Sequence, residues 1–503
     1  MKIFEPSRRR STLILLVGGY LNTAILVIQG LLLVPFYLHF IGAHTYGLWL
    51  ATGGILGLLG ILNFGIGNIL TQRIASAYGK NNTQDIGLYF TNGAMVYLLV
   101  FTVFISLGIF LSYFLDFLNS GSELPVEFRG CFQLALLAVG LSILNECTRS
   151  FSQAVLQPTL SIFSIAISRV IGTIASIIVL YQGLGLWAIP IGMVICELLI
   201  FIFGIFLTMR FIDKFQIKFC LDLSIVKEYF KHGGAVLAAS VGSSFARESD
   251  PILITYLLSP EITAAYMISR RAADIIFQLL AVFSGSIHSS FSHLIGQGNI
   301  DRISKIGCQL LTTITVLSFV GFLGYIYLNT FFVGLWVGKN YQIAQNVIVI
   351  MGLGFLTSSL RTIVWQLLNG FGEFKYSSGI VFLEGLIKVL LSAIALKYMG
   401  LLGVPLAFLV TSIFSLCFLY FKLQKMIVVP LDRLMTFKFI LLALTLSSIS
   451  VFISKSFTVY GWLELILVAL VVLTIITLLL AIINITFFKR FFRGILDELA
   501  TFS

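Results

Sequence analysis

Residues 34–75, "VPFYLHFIGAHTYGLWLATGGILGLLGILNFGIGNILTQRIA", join the end of one long apolar run to the whole of a second through a turn of a few residues. The two runs, near 12–40 and 45–72, each exceed the roughly 20 apolar residues that cross a hydrocarbon core, so the stretch reads as a tight hairpin of membrane spans. The second run carries Gly53, Gly57, Gly60, Gly65 and Gly67. Small residues at three- and four-residue spacing let helices approach closely. Asn63 and Asn68, polar and uncharged in the same stretch, are candidates to line a cavity.

The pattern extends over the chain. Hydrophobic residues make up 58%, charged residues only 11%, and mean hydropathy is +1.03, against about 25% charged in soluble domains. This is the composition of an integral membrane protein. Twelve further candidate spans lie near 86–115, 130–155, 158–181, 185–209, 229–257, 262–291, 304–328, 343–369, 377–396, 402–421, 437–454 and 462–486, fourteen in all. The opening "MKIFEPSRRR" precedes an apolar run without a small-residue cleavage pattern, so it is expected to lead into an uncleaved first helix. No segment between spans is long enough to fold as a domain, which leaves little room for an enzyme acting on soluble substrates.

Charge distribution sets the orientation. With the N-terminus in the cytoplasm, 21 Lys and Arg gather in the cytoplasmic tails, loops and inner helix ends, and only Arg129, Lys339, Lys397 and Lys455 lie opposite. This is the positive-inside pattern. It predicts an even number of spans, both termini inside a cytoplasmic membrane, and a net charge of +11 that is topological rather than a nucleic-acid footprint. Six scattered cysteines without C-x-x-C, five histidines without ligand spacing, and no G-x-x-x-x-G-K-[ST] loop predict neither a metal site nor a cofactor.

An internal repeat is legible at an offset of 217 residues. "IGAHTYGLW" at 41–49 lies on "LSPEITAAY" at 258–266, and "YGKNN" at 78–82 on "IGQGN" at 295–299. An even number of spans separates the copies, so the halves are parallel. The expected organisation is an N-terminal lobe at 1–210, an interfacial linker at 211–228, a C-terminal lobe at 229–424, and an extra helix pair with the tail at 425–503. The linker runs into "LDLSIVKEYFK", an amphipathic pattern suited to the membrane surface.

Charges inside spans are the candidate site residues, because each costs about 2.5–3.5 kcal/mol at a helix centre. They include Arg149, Arg169, Arg247, Arg270, Arg271, Arg361 and Lys388, with Glu146, Glu197, Glu248, Asp250, Asp274 and Glu384. Six of them sit in the seventh and eighth spans, a cost of roughly 15–20 kcal/mol if all met lipid. They are expected to face protein or a wet cavity. Glu146 with Arg149, Arg270 with Asp274, and Glu384 with Lys388 have the spacing to pair on one helix face, and Arg247 has Glu248 and Asp250 within reach. Asp274 cannot neutralise both Arg270 and Arg271. Adjacent guanidinium forks suit bidentate recognition of a diphosphate. Glu197 has no partner on its own helix and is either a proton carrier or the partner of a group on another helix.

Residues 34–75 and "SDPILITYLLSPEITAAYMISRRAADII" at 249–276 carry a resemblance to the Wzx-type polysaccharide flippases of the multidrug/oligosaccharidyl-lipid/polysaccharide exporter superfamily, extending over about the first 420 residues. The resemblance implies an all-α polytopic protein with two V-shaped six-helix lobes, MATE-like, rocking around a central cavity. Its implied cargo is an oligosaccharide on a polyprenyl pyrophosphate, and its implied partners are that lipid-linked glycan, membrane lipids and other glycan-assembly proteins. Asp250 falls where such proteins commonly carry an acid late in the seventh helix, whereas Asn63 stands where they often have Asp. Fourteen spans resemble the lipid II flippase branch, although the first span lacks the arginines of that branch.

A flippase is the expected function, with Arg247, Arg270, Arg271, Arg149 and Arg169 as substrate-binding residues, and Asp250, Glu248, Asp274, Glu146, Glu197, Asn63 and Asn68 as coupling or cavity residues. The alternatives are a cation-coupled multidrug exporter, which favours carboxylates and aromatics over paired arginines, and a membrane glycosyltransferase or ligase.

Overall fold

The computed structural model describes residues 8–60, 66–119, 124–155, 158–296, 300–427, 433–456 and 459–483. These form α1 (Arg8–Phe40), α2 (Ala43–Leu59), α3 (Ile66–Gly79), α4 (Thr83–Ser112), α5 (Val126–Ala154), α6 (Pro158–Tyr181), α7 (Ala188–Phe215) and α8 (Leu223–Leu257). After them come α9 (Pro260–Gly296), α10 (Ile300–Trp336), α11 (Gln345–Gly370), α12 (Phe374–Met399), α13 (Gly403–Gln424), α14 (Arg433–Ser456) and α15 (Trp462–Ile483). In hydrocarbon every backbone donor and acceptor must be satisfied within its own segment, which the helix does. The protein is an all-α, multi-pass membrane protein.

Thirteen of the expected spans each fall on one helix, and the second, 45–72, is divided between α2 and α3, with 61–65 outside the described residues. Stretches such as Thr83–Ser112 and Gly185–Phe215, both of mean hydropathy 2.5, are long and apolar enough to span. Their outward faces carry exposed Phe110, Ile202 and Phe206, as contact with lipid requires. The helical pattern read at 221–231 is realised as the start of α8. Asp222 caps that start, accepting from the Ser224 amide and hydroxyl at 2.9 and 2.7 Å, and these bonds hold its carboxyl below the usual range. Upstream, Asn92 of α4 donates to the Cys220 carbonyl at 3.1 Å and accepts from the Asp222 amide at 2.9 Å, fixing where the chain enters α8.

The chain divides into two compact units. The first comprises 1–264 with 374–397, the second 265–373 with 398–503. In the first unit, α2 lies against α8 by its glycine face. A Cβ on Gly54 would stand 2.5 Å from the Glu248 carbonyl oxygen, and one on Gly57 would stand 2.8 Å from the Glu248 side chain. Gly53 and Gly60, expected to share that role, have open space around them instead, and Gly65 is outside the described residues. A second backbone approach joins α8 to α12, where a Cβ on Gly385 would lie 2.0 Å from the Gly242 carbonyl oxygen. Aromatic edges complete this core, Phe90 on Phe151 at 5.0 Å and Phe151 on Phe211 at 5.4 Å.

In the second unit α11 is held to α10 by Gln345, which donates to the Ile326 carbonyl at 2.5 Å and accepts from Thr330 at 2.6 Å. Phe355 meets Phe408 of α13 at 5.6 Å. Tyr327 of α10 donates to the Leu446 carbonyl of α14 at 2.8 Å, and Phe332 meets Trp462 of α15 at 6.1 Å.

Candidate functional site

Three helices of the first unit enclose a cavity of about 620 Å³. The α5 wall follows from its sequence: Ser142, Asn145, Glu146, Arg149 and Ser152 recur at the spacing that puts them on one face. Opposite them α6 supplies Ser161, Ser164 and Arg169, and α7 supplies Glu197, Thr208, Arg210 and Lys214. Charges within lipid-spanning helices are costly unless they face protein or a wet cavity, as the line of Glu146, Arg149, Arg169 and Glu197 along this chamber does.

Their partners are specific. Arg149 forms an ion pair with Glu146 one turn back. Asn145 donates to the Glu197 carboxylate at 2.8 Å and to the Glu197 carbonyl at 3.0 Å, which locks α5 to α7 at the level of the carboxylate. Arg169 donates to the Asn22 carbonyl of α1 at 3.1 Å. One guanidinium nitrogen is thereby used for structure, and the planar group still faces the cavity with its remaining donors. Arg210 and Lys214 stand exposed on the last turns of α7. Four cationic side chains against two carboxylates give the cavity an excess of positive charge. Hydroxyls of Ser142, Ser152, Ser161, Ser164 and Thr208 add neutral hydrogen-bonding groups between them.

Four of the expected site residues, Glu146, Arg149, Arg169 and Glu197, are thus brought together. The others that the structure describes lie elsewhere. Asp250 and Lys388 form a buried ion pair between α8 and α12, with the Ser249 hydroxyl 3.4 Å from the ammonium. The spacing of Lys388 and Glu384 on one helix face suggested pairing along α12, and Asp250 stood within reach of Arg247. The close crossing at Gly242 and Gly385 brings α8 near enough to α12 for the Asp250–Lys388 pair to form between helices. Arg247 lies exposed on α8, and Glu248 lies over Gly57. In the second unit Arg270, buried, pairs with Asp274 at 3.4 Å, as its spacing suggests, while Arg271 is exposed. Asn63 and the side chain of Asn68 fall outside the described residues.

Sequence reasoning missed Asn145, Arg210 and Lys214 as members of the site. Asn145 was legible in principle, one residue before Glu146 on the polar face of α5. Arg210 and Lys214 read as loop cations, because their helix runs on to Phe215, beyond the apolar stretch.

This multi-pass helical protein, with its charged, hydroxyl-lined chamber among apolar helices, shares its fold with several solved structures. A lipid II flippase, MurJ, in an inward closed conformation, superposes with a TM-score of 0.64 at 16% identity, covering 92% of this chain and 98% of that one. The MATE multidrug transporter DinF-BH gives 0.61 at 12% identity over 84% and 97% of the two chains. The MATE transporter VcmN of Vibrio cholerae, in a bent form, gives 0.57 at 16% over 82% and 97%. No curated protein sequence matches the chain. Residues 61–346, more than half of the chain, match the family described as polysaccharide biosynthesis protein (Polysacc_synt_3), and the chain belongs to that family.

Proposed function

We propose that the protein is a flippase that carries a polyprenyl-pyrophosphate-linked oligosaccharide across the cytoplasmic membrane by alternating access, with both termini in the cytoplasm. The observation that carries this reading is the convergence of Arg149 and Arg169 with Glu146 and Glu197 in one chamber of a polysaccharide biosynthesis family member. The likeness in fold to the lipid II flippase MurJ supports the same class of cargo. In this reading the lobes 1–210 and 229–424 rock about the linker 211–228, and the pair at 425–503 stands beside them.

The chemistry follows from the partners already present. Arg149 is held in its ion pair with Glu146 until a phosphate arrives. A diphosphate competes with Glu146 for the Arg149 fork and takes the open donors of Arg169, forming charge-assisted, bidentate contacts. Hydroxyls of Ser142, Ser152 and Ser161 then exchange hydrogen bonds with the sugars. Arg247, Arg270 and Arg271 are proposed as further phosphate contacts along the route.

Glu146 and Glu197 also give a cation-coupled drug exporter something to work with, and this is the competing reading. Purified protein in proteoliposomes distinguishes the two. Translocation of a short-chain lipid-linked oligosaccharide, competed by the unlabelled pyrophosphate glycolipid and indifferent to cationic dyes, is expected. Proton- or sodium-driven dye uptake without glycolipid movement would overturn the proposal.

A further inference from the structure

Outside the chamber, the two tight turns of the first unit touch. The α1–α2 turn ends in His44, whose Nδ1 lies 2.6 Å from the Glu261 carboxylate at the start of α9. Glu261 stands 217 residues from His44, the same offset that lays the first turn on the second, so repeat-equivalent positions meet each other. Beside them the backbones are in contact, since a Cβ on Gly47 would stand 1.8 Å from the Pro260 carbonyl oxygen. Each turn is braced on its own side. Tyr37 packs on Tyr46 at 5.9 Å, while Thr255 and Thr263, both buried, share a hydrogen bond of 2.8 Å across the α8–α9 turn. Two stiff turns are therefore joined by one backbone contact and one ionisable pair.

We infer that the His44–Glu261 pair is a protonation-sensitive clasp holding the α1–α2 turn against the α8–α9 turn, tightened when His44 is charged and loosened when it is neutral. Histidine is the side chain whose charge ordinarily changes in the physiological range. At Glu261 partial burial, which pushes a carboxyl up, is outweighed by its own backbone amide, His44 and Ser259, so its pKa lies below the usual range. The carboxylate therefore stays charged as pH falls toward the ordinary carboxylate range. Other ionisable groups at this end are His39, edge-on to Phe40 at 5.0 Å, the Asp116–Arg129 pair at 3.5 Å, Glu127, and Lys397 on α12. The pair itself is half exposed, 52% and 51%, so water and salt limit its strength. In the orientation proposed above it lies at the non-cytoplasmic end of the unit. Its link to export rests on the flippase reading, but the clasp itself does not.

The test needs no cargo. Amide hydrogen exchange of the full chain in lipid nanodiscs, corrected for the intrinsic pH dependence of exchange, reports opening at 45–48 and 261–264. Between about pH 5.5 and pH 8, wild-type protection there is expected to fall roughly two- to fivefold. H44Q and E261Q should each flatten that response, and the exchanged pair H44E with E261H should restore it. Gly47→Ala, which drives a methyl into the Pro260 carbonyl, should lower protection at every pH. An unchanged pH response in H44Q or E261Q, or full protection in the Gly47 variant, would overturn the clasp. Loss of glycolipid flipping with the clasp response intact would count against the proposed function alone.

Discussion

The buried pair of Asp250 and Lys388 gives the sharpest energetic prediction. The side chains are 5% and 0% exposed, and the Asp250 carboxylate and the Ser249 hydroxyl stand beside the ammonium. Removing one partner takes the opposite charge away from a group that stays buried between helices approaching to backbone contact at Gly242 and Gly385. Water cannot readily reach it there. Lys388→Met or Asp250→Leu alone should therefore destabilise the protein by about 3–5 kcal/mol. Replacing both removes the desolvation cost along with the attraction, and similar cases range from neutral to about 1–4 kcal/mol more stable. The double mutant should thus lie within roughly 1 kcal/mol of wild type or above it, a coupling of several kcal/mol in a double-mutant cycle. Equilibrium unfolding by SDS titration in mixed micelles, followed by tryptophan fluorescence, measures all four proteins. Single variants that lose less than about 0.5 kcal/mol, or a double variant that simply adds the two losses, would refute the reasoning.

Other expectations follow from the same geometry. Arg270→Ala should strand Asp274 and lower stability by about 1–3 kcal/mol, and Arg270→Ala with Asp274→Ala should recover most of it, as thermal unfolding would show. Asn145→Leu removes both bonds to Glu197 and should loosen α5 from α7, with faster amide exchange around 142–149. The depressed pKa of Glu261 implies stabilisation present above the ordinary carboxylate range and lost as pH falls through the lowered value. Glu261→Gln should therefore flatten the acid side of the stability–pH curve. Gly385→Val should separate α8 from α12 and abolish the benefit of the Asp250–Lys388 pair, so that adding Lys388→Met costs little more.

The spans were legible because lipid imposes one requirement on every one of them, about 20 apolar residues in a helix. Hence α1, α4 and α13 stand where hydropathy placed them. The end of α2 at Leu59 was not foreseen, although Gly53, Gly54, Gly57 and Gly60 weaken a helix there. Pairs one helical turn apart, Glu146 with Arg149 and Arg270 with Asp274, were readable because a helix fixes which residues share a face. Asp250 with Lys388 was not, since they lie 138 residues apart and meet only through a glycine crossing. The site was half legible for the same reason. Sequence identified four of its charges, Glu146, Arg149, Arg169 and Glu197, whereas their gathering depends on how α5, α6 and α7 pack.

The central claim is that Arg149 and Arg169 hold the phosphates of a lipid-linked glycan in the α5–α7 chamber. Its most direct measurement is the affinity of the purified protein in nanodiscs for a short-chain polyprenyl pyrophosphate glycolipid, compared among wild type, Arg149→Gln and Arg169→Gln. Each change should remove a charge-assisted contact worth about 1.5–3 kcal/mol, roughly ten- to a hundredfold in affinity. The corresponding Lys variants should recover only part of it. Wild-type affinity in both Gln variants, with the proteins folded and the ligand bound, would contradict the claim.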